Sequence, residues 1–211
     1  MKNNVNEMNL KMFGWDEVLK ENTSGKTDFT KLQNGITELR FLDAEPYSRW
    51  AHWLQAVKRN VSCLGATCPV CESIKNAKSA GIKPKFNSNR KFAMHVLNLT
   101  TGNVEILEQG KTFFVQLHAL HEEVGDIRNY NIKVKTQNAG TTDVTFTLIP
   151  CPGTELTDEQ KELIKDLKPF DEVFKMPTRE QVLQLMDGVS PEEVFGNATE
   201  NKDEKDETIE V

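Results

Sequence analysis

Residues 52–71 read HWLQAVKRNVSCLGATCPVC and place one histidine and three cysteines within 20 consecutive positions. Cys68 and Cys71 are separated by two residues, a spacing at which both thiolates can bind one metal ion. The stretch 64–67 contains a glycine and gives the chain room to turn back, so the remaining cysteine and the histidine can supply two further ligands. Such a set is a closed tetrahedral site with no position for water. The spacing therefore predicts one structural Zn²⁺ per chain, bound by His52, Cys63, Cys68 and Cys71.

Other interpretations of these residues stay open at the level of sequence. The cysteines could be ordinary buried thiols, or Cys68 and Cys71 could form a redox pair. A third nearby cysteine and the lack of a thioredoxin-like βαβ pattern argue against the redox pair. Cys151, between two prolines, is expected to be a small packed residue, although it could replace His52 as the fourth ligand. The remaining histidines are expected to be packing or surface residues: His95, His118 and His121.

The segment around these ligands is basic, although the whole chain carries a net charge of −6. Residues 40–91 contain ten basic and three acidic side chains, a balance of +7, and aromatic residues are interleaved with this charge. Cationic side chains that follow a phosphate backbone and flat rings on which bases stack are the two components of a single-strand-binding groove. The candidate DNA contacts are Arg49, Trp50, Trp53, Lys58, Arg59, Lys83, Lys85, Phe86, Arg90, Lys91 and Phe92.

The aromatic residues and the charges also have ordinary structural explanations. Aromatic residues of a small β-domain often belong to its core, and a run of charge is often a solvated face. Phe86 lies between Lys85 and Asn87 in a polar, proline-containing segment, so we expect it to be the most exposed of these rings. Because the positive charge is confined to one segment of an acidic chain, binding is the favoured interpretation.

The two parts of the chain carry opposite charge. Residues 1–153 have a balance of +4, and residues 154–211 have a balance of −10. The acidic residues are densest in the segment 200–207, which has no large apolar side chain and is expected to be disordered. This tail is a candidate partner-binding segment or a solubilising one. Its candidate contacts are Asp203, Glu204, Asp206 and Glu207.

The hydrophobic pattern predicts a mainly β core. Alternation and turn residues predict strands at 36–42, 91–99, 104–107, 132–136 and 144–149, and helical spacing predicts a helix at 111–123. Five or so strands with a helix before the last pair are typical of a small closed barrel of the OB-fold type. The predicted organisation is an N-terminal arm (1–34), an OB-fold core (35–152) with a zinc-binding insertion (about 49–91), a helical extension (153–196) and the acidic tail (197–211).

Short helices are expected in the extension because three capping boxes occur there. A Ser or Thr whose side chain caps the helix is followed three residues later by Gln or Glu. The pairs are Thr157 with Gln160, Thr178 with Gln181, and Ser190 with Glu193.

Taken together, these motifs resemble the zinc-containing single-stranded DNA-binding proteins of tailed phages, of the T-even type. The specific part of the resemblance is a histidine next to a tryptophan, His52-Trp53, followed by a Cys…Cys-x-x-Cys knuckle and a basic stretch. The rest of the shared pattern is a first strand at 36–42, a strand-turn-strand leading into Gly110-Lys111-Thr112-Phe113-Phe114, a strand at 130–134 and an acidic tail. The resemblance covers roughly residues 35–152 and the tail.

The resemblance implies an OB-fold whose cleft binds single strands, with a structural zinc held by the histidine and three cysteines named above. It also implies an acidic tail that contacts replication and recombination proteins, and self-association on DNA through the amino terminus. The spacings within the knuckle are tighter here than in the T-even pattern. The first residues also lack a strongly basic arm, since they contain Lys2 and Lys11 against Glu7.

The function expected from the sequence is sequence-tolerant binding and protection of single-stranded DNA during phage DNA replication, recombination and repair. The tail would compete with DNA for the basic cleft. One rival is a zinc-containing transcription factor that reads duplex DNA, which would need an exposed helix after the knuckle; residues 73–80 could supply a short one. A second rival is a zinc-stapled module that binds other proteins.

We expect no enzymatic activity. A zinc-dependent nucleobase deaminase needs a His-x-Glu and a Pro-Cys-x-x-Cys. Here Trp53-Leu54 follows His52, and Thr67 precedes Cys68, so the catalytic glutamate is missing from its place. The chain also lacks a run of about 18 apolar residues that could cross a membrane. Its first residues have no apolar signal-peptide core, so we expect a cytoplasmic protein, in the bacterial host if the protein is phage-encoded.

Overall fold

The computed structural model describes residues 29–196. Most of the predicted N-terminal arm and the whole acidic tail, with Asp203, Glu204, Asp206 and Glu207, lie outside the described residues. Within the described part, no helix is long and apolar enough to cross a membrane.

One antiparallel sheet of seven strands organises residues 29–196. The strands are β1 (Gly35–Phe41), β2 (Tyr47–Leu54), β3 (Arg59–Ser62), β4 (Ser88–Asn98), β5 (Val104–Gly110), β6 (Tyr130–Gln137) and β7 (Thr145–Pro152). Their order is β3-β2-β4-β1-β6-β7, and β5 pairs with β4. The predominance of β-structure confirms the mainly β character of the predicted fold class.

The central strand β4 pairs with three neighbours. Its first half pairs with β2, from Tyr47↔Ala93 to His52↔Ser88, and its end pairs with β1, as in Phe41↔Val96. Strand β5 pairs along residues 91–97 of β4. In the described residues the terminal strands β3 and β7 do not pair with each other, so the sheet is open and the predicted barrel closure is not confirmed.

Every strand predicted from the sequence is present, and the predicted helix is α2 (Lys111–Val124). Strands β2 and β3 were not predicted, because charged residues interrupt their apolar alternation. Both strands belong to the main sheet. The segment that carries the metal ligands therefore supplies one end of the sheet.

The main core lies between the sheet and α2. Helix α2 packs four residues at helical spacing onto the sheet, namely Phe113, Phe114, Leu117 and Leu120. The sheet contributes Leu39, Phe41, Met94, Val96, Leu107, Ile132 and Val134 to the same cluster. This core fixes the part of the sheet that is remote from the cysteines.

Five further helices are short. They are α1 (Pro69–Ser79), α3 (Asp158–Lys165), α4 (Phe170–Val173), α5 (Arg179–Met186) and α6 (Pro191–Phe195). All three predicted capping boxes are present, at the starts of α3, α5 and α6. Each box satisfies backbone groups that a helix end leaves without partners, so it stabilises helices with little core of their own.

The C-terminal helices return to the sheet and complete two smaller cores. Val182 and Leu185 of α5 pack in a second cluster with the side chains around the cysteines, among them Leu54, Val61 and Val70. A third cluster joins Phe174, which follows α4, to Ala93, Ile106, Tyr47 and Phe170. The helical extension is therefore part of the folded body.

Replacing Leu185 by Ala should destabilise the protein by about 2–5 kcal/mol, because its side chain is fully buried in the second cluster. The matched control is Leu183→Ala in the same helix, at a position that is 41% exposed, where the change should stay within about 0.5 kcal/mol. Urea denaturation of the metal-loaded variants measures both values. Equal losses at the two positions would show that α5 is not anchored by Leu185.

Candidate metal centre

Three elements deliver the four predicted ligands to one place. His52 lies on β2 and is completely buried, and Cys63 follows the last residue of β3. Cys68 is the N-cap residue of α1, and Cys71 lies in the first turn of that helix. Pro69 at the first helical position fixes where α1 begins, so the two-residue spacing places both sulfurs at the same helix end.

A tight turn between β3 and α1 makes this convergence possible. Residues Gly65–Thr67 form a single 3₁₀ turn, and Gly65 has a φ of +66°, a left-handed conformation that favours glycine. The Gly65 N–H lies 3.4 Å from the Cys63 sulfur. The turn reverses the chain immediately after Cys63 and directs Cys68 back towards it.

The geometry of the four donor atoms fits one tetrahedral metal ion. All four lie within 4.8 Å of one another. The Cys63 and Cys71 sulfurs are 3.5 Å apart, and the His52 Nε2 atom lies 3.4 Å from the Cys68 sulfur and 3.5 Å from the Cys71 sulfur. Metal–ligand lengths of about 2.3 Å for sulfur and about 2.0–2.1 Å for nitrogen require donor separations of about 3.6–3.8 Å. These three separations agree with this requirement within a few tenths of an ångström.

A backbone carbonyl orients the imidazole of His52. Its Nδ1 atom lies 3.1 Å from the carbonyl oxygen of Asn87, to which an Nδ1–H can donate. This hydrogen bond leaves the lone pair on Nε2, the atom that faces the sulfurs. Burial also lowers the pKa of His52, although the hydrogen bond with Asn87 acts in the opposite direction. The lowered pKa keeps the ring neutral and able to bind a metal.

The sulfurs need a cation if they are all to be ionised. Burial, together with the neighbouring sulfurs of Cys63 and Cys68, raises the pKa of the Cys71 thiol to about 12. Burial acts in the same direction on Cys68, but backbone N–H groups, first that of Cys71, outweigh it and lower the pKa of the Cys68 thiol. A bound dication stabilises all three thiolates at once.

Helix α5 holds the metal-bearing turn from outside. The Arg179 guanidinium lies 2.7 Å from the Thr67 carbonyl oxygen and 2.7 Å from a Glu72 carboxylate oxygen. Arg179 thus joins the start of α5 to the 3₁₀ turn and to the first turn of α1. Sequence reasoning missed this contact because 107 residues separate Arg179 from Glu72.

Cys151 lies on β7, at the opposite end of the strand order from β3, and it does not belong to the four-residue group. The alternative in which Cys151 replaces His52 as a ligand is therefore wrong. His118 and His121 lie on the exposed side of α2, as expected, whereas His95 is buried.

The structure separates the eleven candidate DNA contacts into exposed and buried groups. Trp50 is 55% exposed and Trp53 is 42% exposed. Lys91 and Phe92 are half-buried, and the Phe92 ring packs against Phe114 at a centroid distance of 5.4 Å. The exposed cations among the candidates are Lys58, Arg59, Lys83, Lys85 and Arg90.

Two of the candidates are structural residues instead. Phe86 is only 9% exposed and packs in the cluster around the cysteines, so the expectation that it is the most exposed ring is wrong. The polar residues next to it in sequence suggested an exposed ring, but the ring packs inwards beside the metal centre. Arg49 is mostly buried, bound to Glu108 at 3.0 Å, with its guanidinium 4.3 Å from the centre of the Phe174 ring. It therefore has no free face for a phosphate.

Trp50 and Trp53 lie on opposite faces of the sheet. They are three residues apart on β2, and side chains alternate between faces along a strand. Trp50 pairs across the sheet with Arg90 of β4, whereas Trp53 pairs with Asn60 of β3. The two rings therefore cannot form one stacking surface.

A groove of about 600 Å³ lies on the Trp50 face of the sheet, between β4 and α2. Phe92 and Met94 contribute to its floor, and Arg90 lines it beside Ser48. Helix α2 contributes polar and charged side chains that the sequence did not identify as site residues. These are Lys111, His118, His121 and Glu122.

Comparisons with known protein families, with curated proteins and with solved structures find no match to this chain. The resemblance to the phage proteins therefore rests on the residues alone.

The purified protein should bind one metal ion per chain through the four converging residues. Cys63→Ser should reduce the bound metal to well below one equivalent, because a hydroxyl cannot replace the thiolate at neutral pH. The matched control, Cys151→Ser, should retain full metal content, since Cys151 lies outside the group. Elemental analysis after dialysis measures both. Full metal content in the Cys63 variant would contradict the assigned ligand set.

Proposed function

We propose that this protein binds single-stranded DNA without sequence preference and that its metal centre holds a structural Zn²⁺. The observation that supports DNA binding best is an exposed tryptophan, Trp50, directly beside an exposed arginine, Arg90, on one face of the sheet. An exposed ring offers a stacking surface for a base, and an adjacent guanidinium can bind the neighbouring phosphate.

Arg90 is held in position next to Trp50. Its guanidinium donates a hydrogen bond of 2.9 Å to the Ser48 hydroxyl and lies 5.5 Å from the centre of the Phe92 ring. Because these contacts come from the sheet itself, the cation has less conformational freedom to lose on binding a phosphate. A fixed cation beside an open ring is better suited to a nucleotide than to general solvation.

The strand would continue from Trp50 into the groove. Ser48 and Phe92 form the next cross-strand pair on the same face, and both line the groove. Lys111 adds a second cation to the lining, while Glu45 and Glu122 add two carboxylates, so the groove itself carries no excess positive charge. This mixed lining is suited to the edges of bases, which present both donors and acceptors.

Further cations lie on the loops that the metal centre orders. Lys58 and Arg59 lie where the β2–β3 hairpin turns, and Lys83 and Lys85 lie between α1 and β4. These loops are connected directly to elements that carry metal ligands, so the positions of the loops depend on the metal. Each phosphate that they neutralise releases counterions, and the affinity should fall steeply with salt.

Zinc is the metal that we propose because of the donor set. Three thiolates and one imidazole in a closed tetrahedral arrangement are typical of structural zinc sites. All four positions are filled by protein, so the site has no place for a reactive water. Metal binding would then contribute to folding, and we propose no enzymatic reaction.

The biological setting is also a proposal. The resemblance to tailed-phage proteins suggests protection of single strands during DNA replication, recombination and repair in the bacterial cytoplasm. Its acidic tail would bind partner proteins, and self-association on DNA belongs to the same proposal.

One observation favours a second candidate function, duplex recognition. An 11-residue helix, α1, follows the first three ligands, and its Lys75, Asn76 and Lys78 side chains are exposed. Exposed side chains on a helix next to a zinc site could enter a major groove. The first proposal gains more support because an exposed ring beside an exposed cation is the combination that binds a single strand.

Replacing Trp50 by Ala should weaken binding to an oligo-dT by about 1–3 kcal/mol, the contribution of one stacked base. Trp53→Ala is the matched control, because that ring lies on the opposite face and is also exposed. It should change the affinity about twofold or less. Fluorescence anisotropy with labelled oligo-dT and with a matched duplex, at about 50 and 200 mM salt, measures the affinities.

The outcomes separate the candidate functions. Preferential binding to the duplex would favour the transcription-factor interpretation, and no binding to either nucleic acid would favour a module for protein partners. An equal loss of affinity in both tryptophan variants would contradict the assignment of Trp50 as the stacking residue.

A further inference from the structure

His95 is a buried histidine that the metal centre does not use. It lies on β4, and its side chain is 7% exposed. Its Nδ1 atom lies 3.0 Å from a carboxylate oxygen of Asp43, and its Nε2 atom lies 3.0 Å from the carbonyl oxygen of Lys168. Both partners accept hydrogen bonds, so both ring nitrogens must carry a proton if both bonds are to form. The site is therefore built for the imidazolium form.

The charges around His95 favour that form. Burial alone lowers its pKa, but the hydrogen bond and charge of Asp43, together with the Lys168 carbonyl, outweigh burial and raise the pKa of His95. The Asp43 carboxylate also accepts the backbone N–H of His95, at 2.6 Å, which fixes it beside the ring.

Other ionisable groups lie on the elements packed around His95. Arg49 and Glu108 form an ion pair with each other. Arg128 lies near enough to Asp43 to interact with its charge. The remaining groups are Arg40 on β1, Tyr47 on β2, Glu105 on β5, and Lys168, Asp171 and Glu172 on the segment that crosses the ring. Within this set, Asp43 is the acidic side chain that hydrogen-bonds the ring.

The Lys168 carbonyl belongs to a segment that covers one face of the sheet. We name residues 168–174, which include α4, the strap. The Phe170 ring stacks on His95 with a centroid distance of 4.2 Å and on Tyr47 with a centroid distance of 5.0 Å. Phe174 stacks on Tyr47 at 5.8 Å and lies against the guanidinium of Arg49. The strap thus covers an aromatic ring and a cation.

The covered face is not the one that carries Trp50. Arg49 pairs across the sheet with Lys91, and both lie on the same face as Trp53. Opening the strap would expose Tyr47 and Arg49 beside a half-buried lysine and an exposed tryptophan. Opening the strap would therefore change which aromatic and cationic side chains this face exposes to solvent.

We propose that protonated His95 latches the strap onto the sheet, so that rising pH increases the opening of residues 168–174 and the exposure of Tyr47 and Arg49. The proposal does not depend on DNA binding. The imidazolium donates one hydrogen bond to Asp43 and one to the Lys168 carbonyl; the neutral ring has one N–H and must lose one of them. Loss of the bond to Lys168 removes the polar contact between the ring and the strap, and Phe170 stacking remains.

The direction of the pH dependence follows from the hydrogen bond to the Lys168 carbonyl, which the imidazolium makes only when the strap is closed, since Asp43 lies outside the strap. The latch is fully present below the ordinary histidine pKa of about 6.5, and it is lost as the pH rises through the higher pKa of the folded protein. For each unit by which the closed strap raises the pKa of His95 above its value with the strap open, the opening equilibrium increases about tenfold across that range.

Hydrogen exchange on the full-length, metal-loaded protein tests the latch without any substitution. The amide of Phe174 donates to the Phe170 carbonyl at 2.8 Å and reports strap opening. Its protection factor, corrected for the intrinsic pH dependence of exchange, should fall between about pH 5.5 and 8.5, with the midpoint at which His95 loses its proton by ¹⁵N NMR. The amide of Gly125, which closes α2, should show no such transition.

Asp43→Asn supplies the second arm, because it removes the charge that favours the imidazolium and keeps a side chain of similar size. It should lower the pKa of His95 and move the strap transition to lower pH by the same amount. His118→Gln, an exposed histidine on α2, is the matched control and should leave the transition unchanged. A neutral His95 throughout this range, or strap protection that does not follow its titration, would overturn the proposal.

Discussion

The convergence of three sulfurs and one imidazole nitrogen within 4.8 Å is the constraint on which one end of this molecule depends. The donors come from β2, from the end of β3 and from the start of α1, and those elements bury little apolar surface by themselves. Without a cation, burial and neighbouring sulfurs keep the Cys71 thiol protonated. A bound metal would replace this with four bonds to one cation. The same elements also pack in the second apolar cluster, and the basic loops are connected to them.

The C-terminal extension supports the two faces of the sheet in different ways. Helix α5 completes the apolar cluster under the metal centre, and Arg179 binds the metal-bearing turn. The strap covers the opposite face through Phe170, Phe174 and the contacts of His95. These contacts leave the Trp50 face with its groove open. The sheet therefore carries α2 and an open groove on the Trp50 face and the strap on the other face.

The sequence predicted local features well, because local chemistry determines them. Spacing predicted the four residues that converge on one point, alternation predicted the main strands, and side chains three residues apart predicted the three caps. The sequence-based predictions were wrong or unconfirmed where residues distant in sequence determine the burial of a side chain, its partner or the pairing of strands. Phe86 is buried because the second cluster, which includes α5, covers it, and Arg49 is paired because Glu108 and Phe174 meet it from other elements. Barrel closure depends on which strands pair at the ends of the sheet, and β3 and β7 do not pair in the described residues.

The most direct test of the account is amide hydrogen exchange on the full chain before and after the metal is removed with a chelator. The central claim is that the metal orders one end of the molecule. Removal should therefore expose the amides of β2, β3, α1 and α5, including that of Val182, which donates to the Thr178 carbonyl. The amides of α2, β6 and β7 should stay protected, since their core contains no metal ligand. Unchanged protection in α1 and α5 after the metal is removed would contradict the claim.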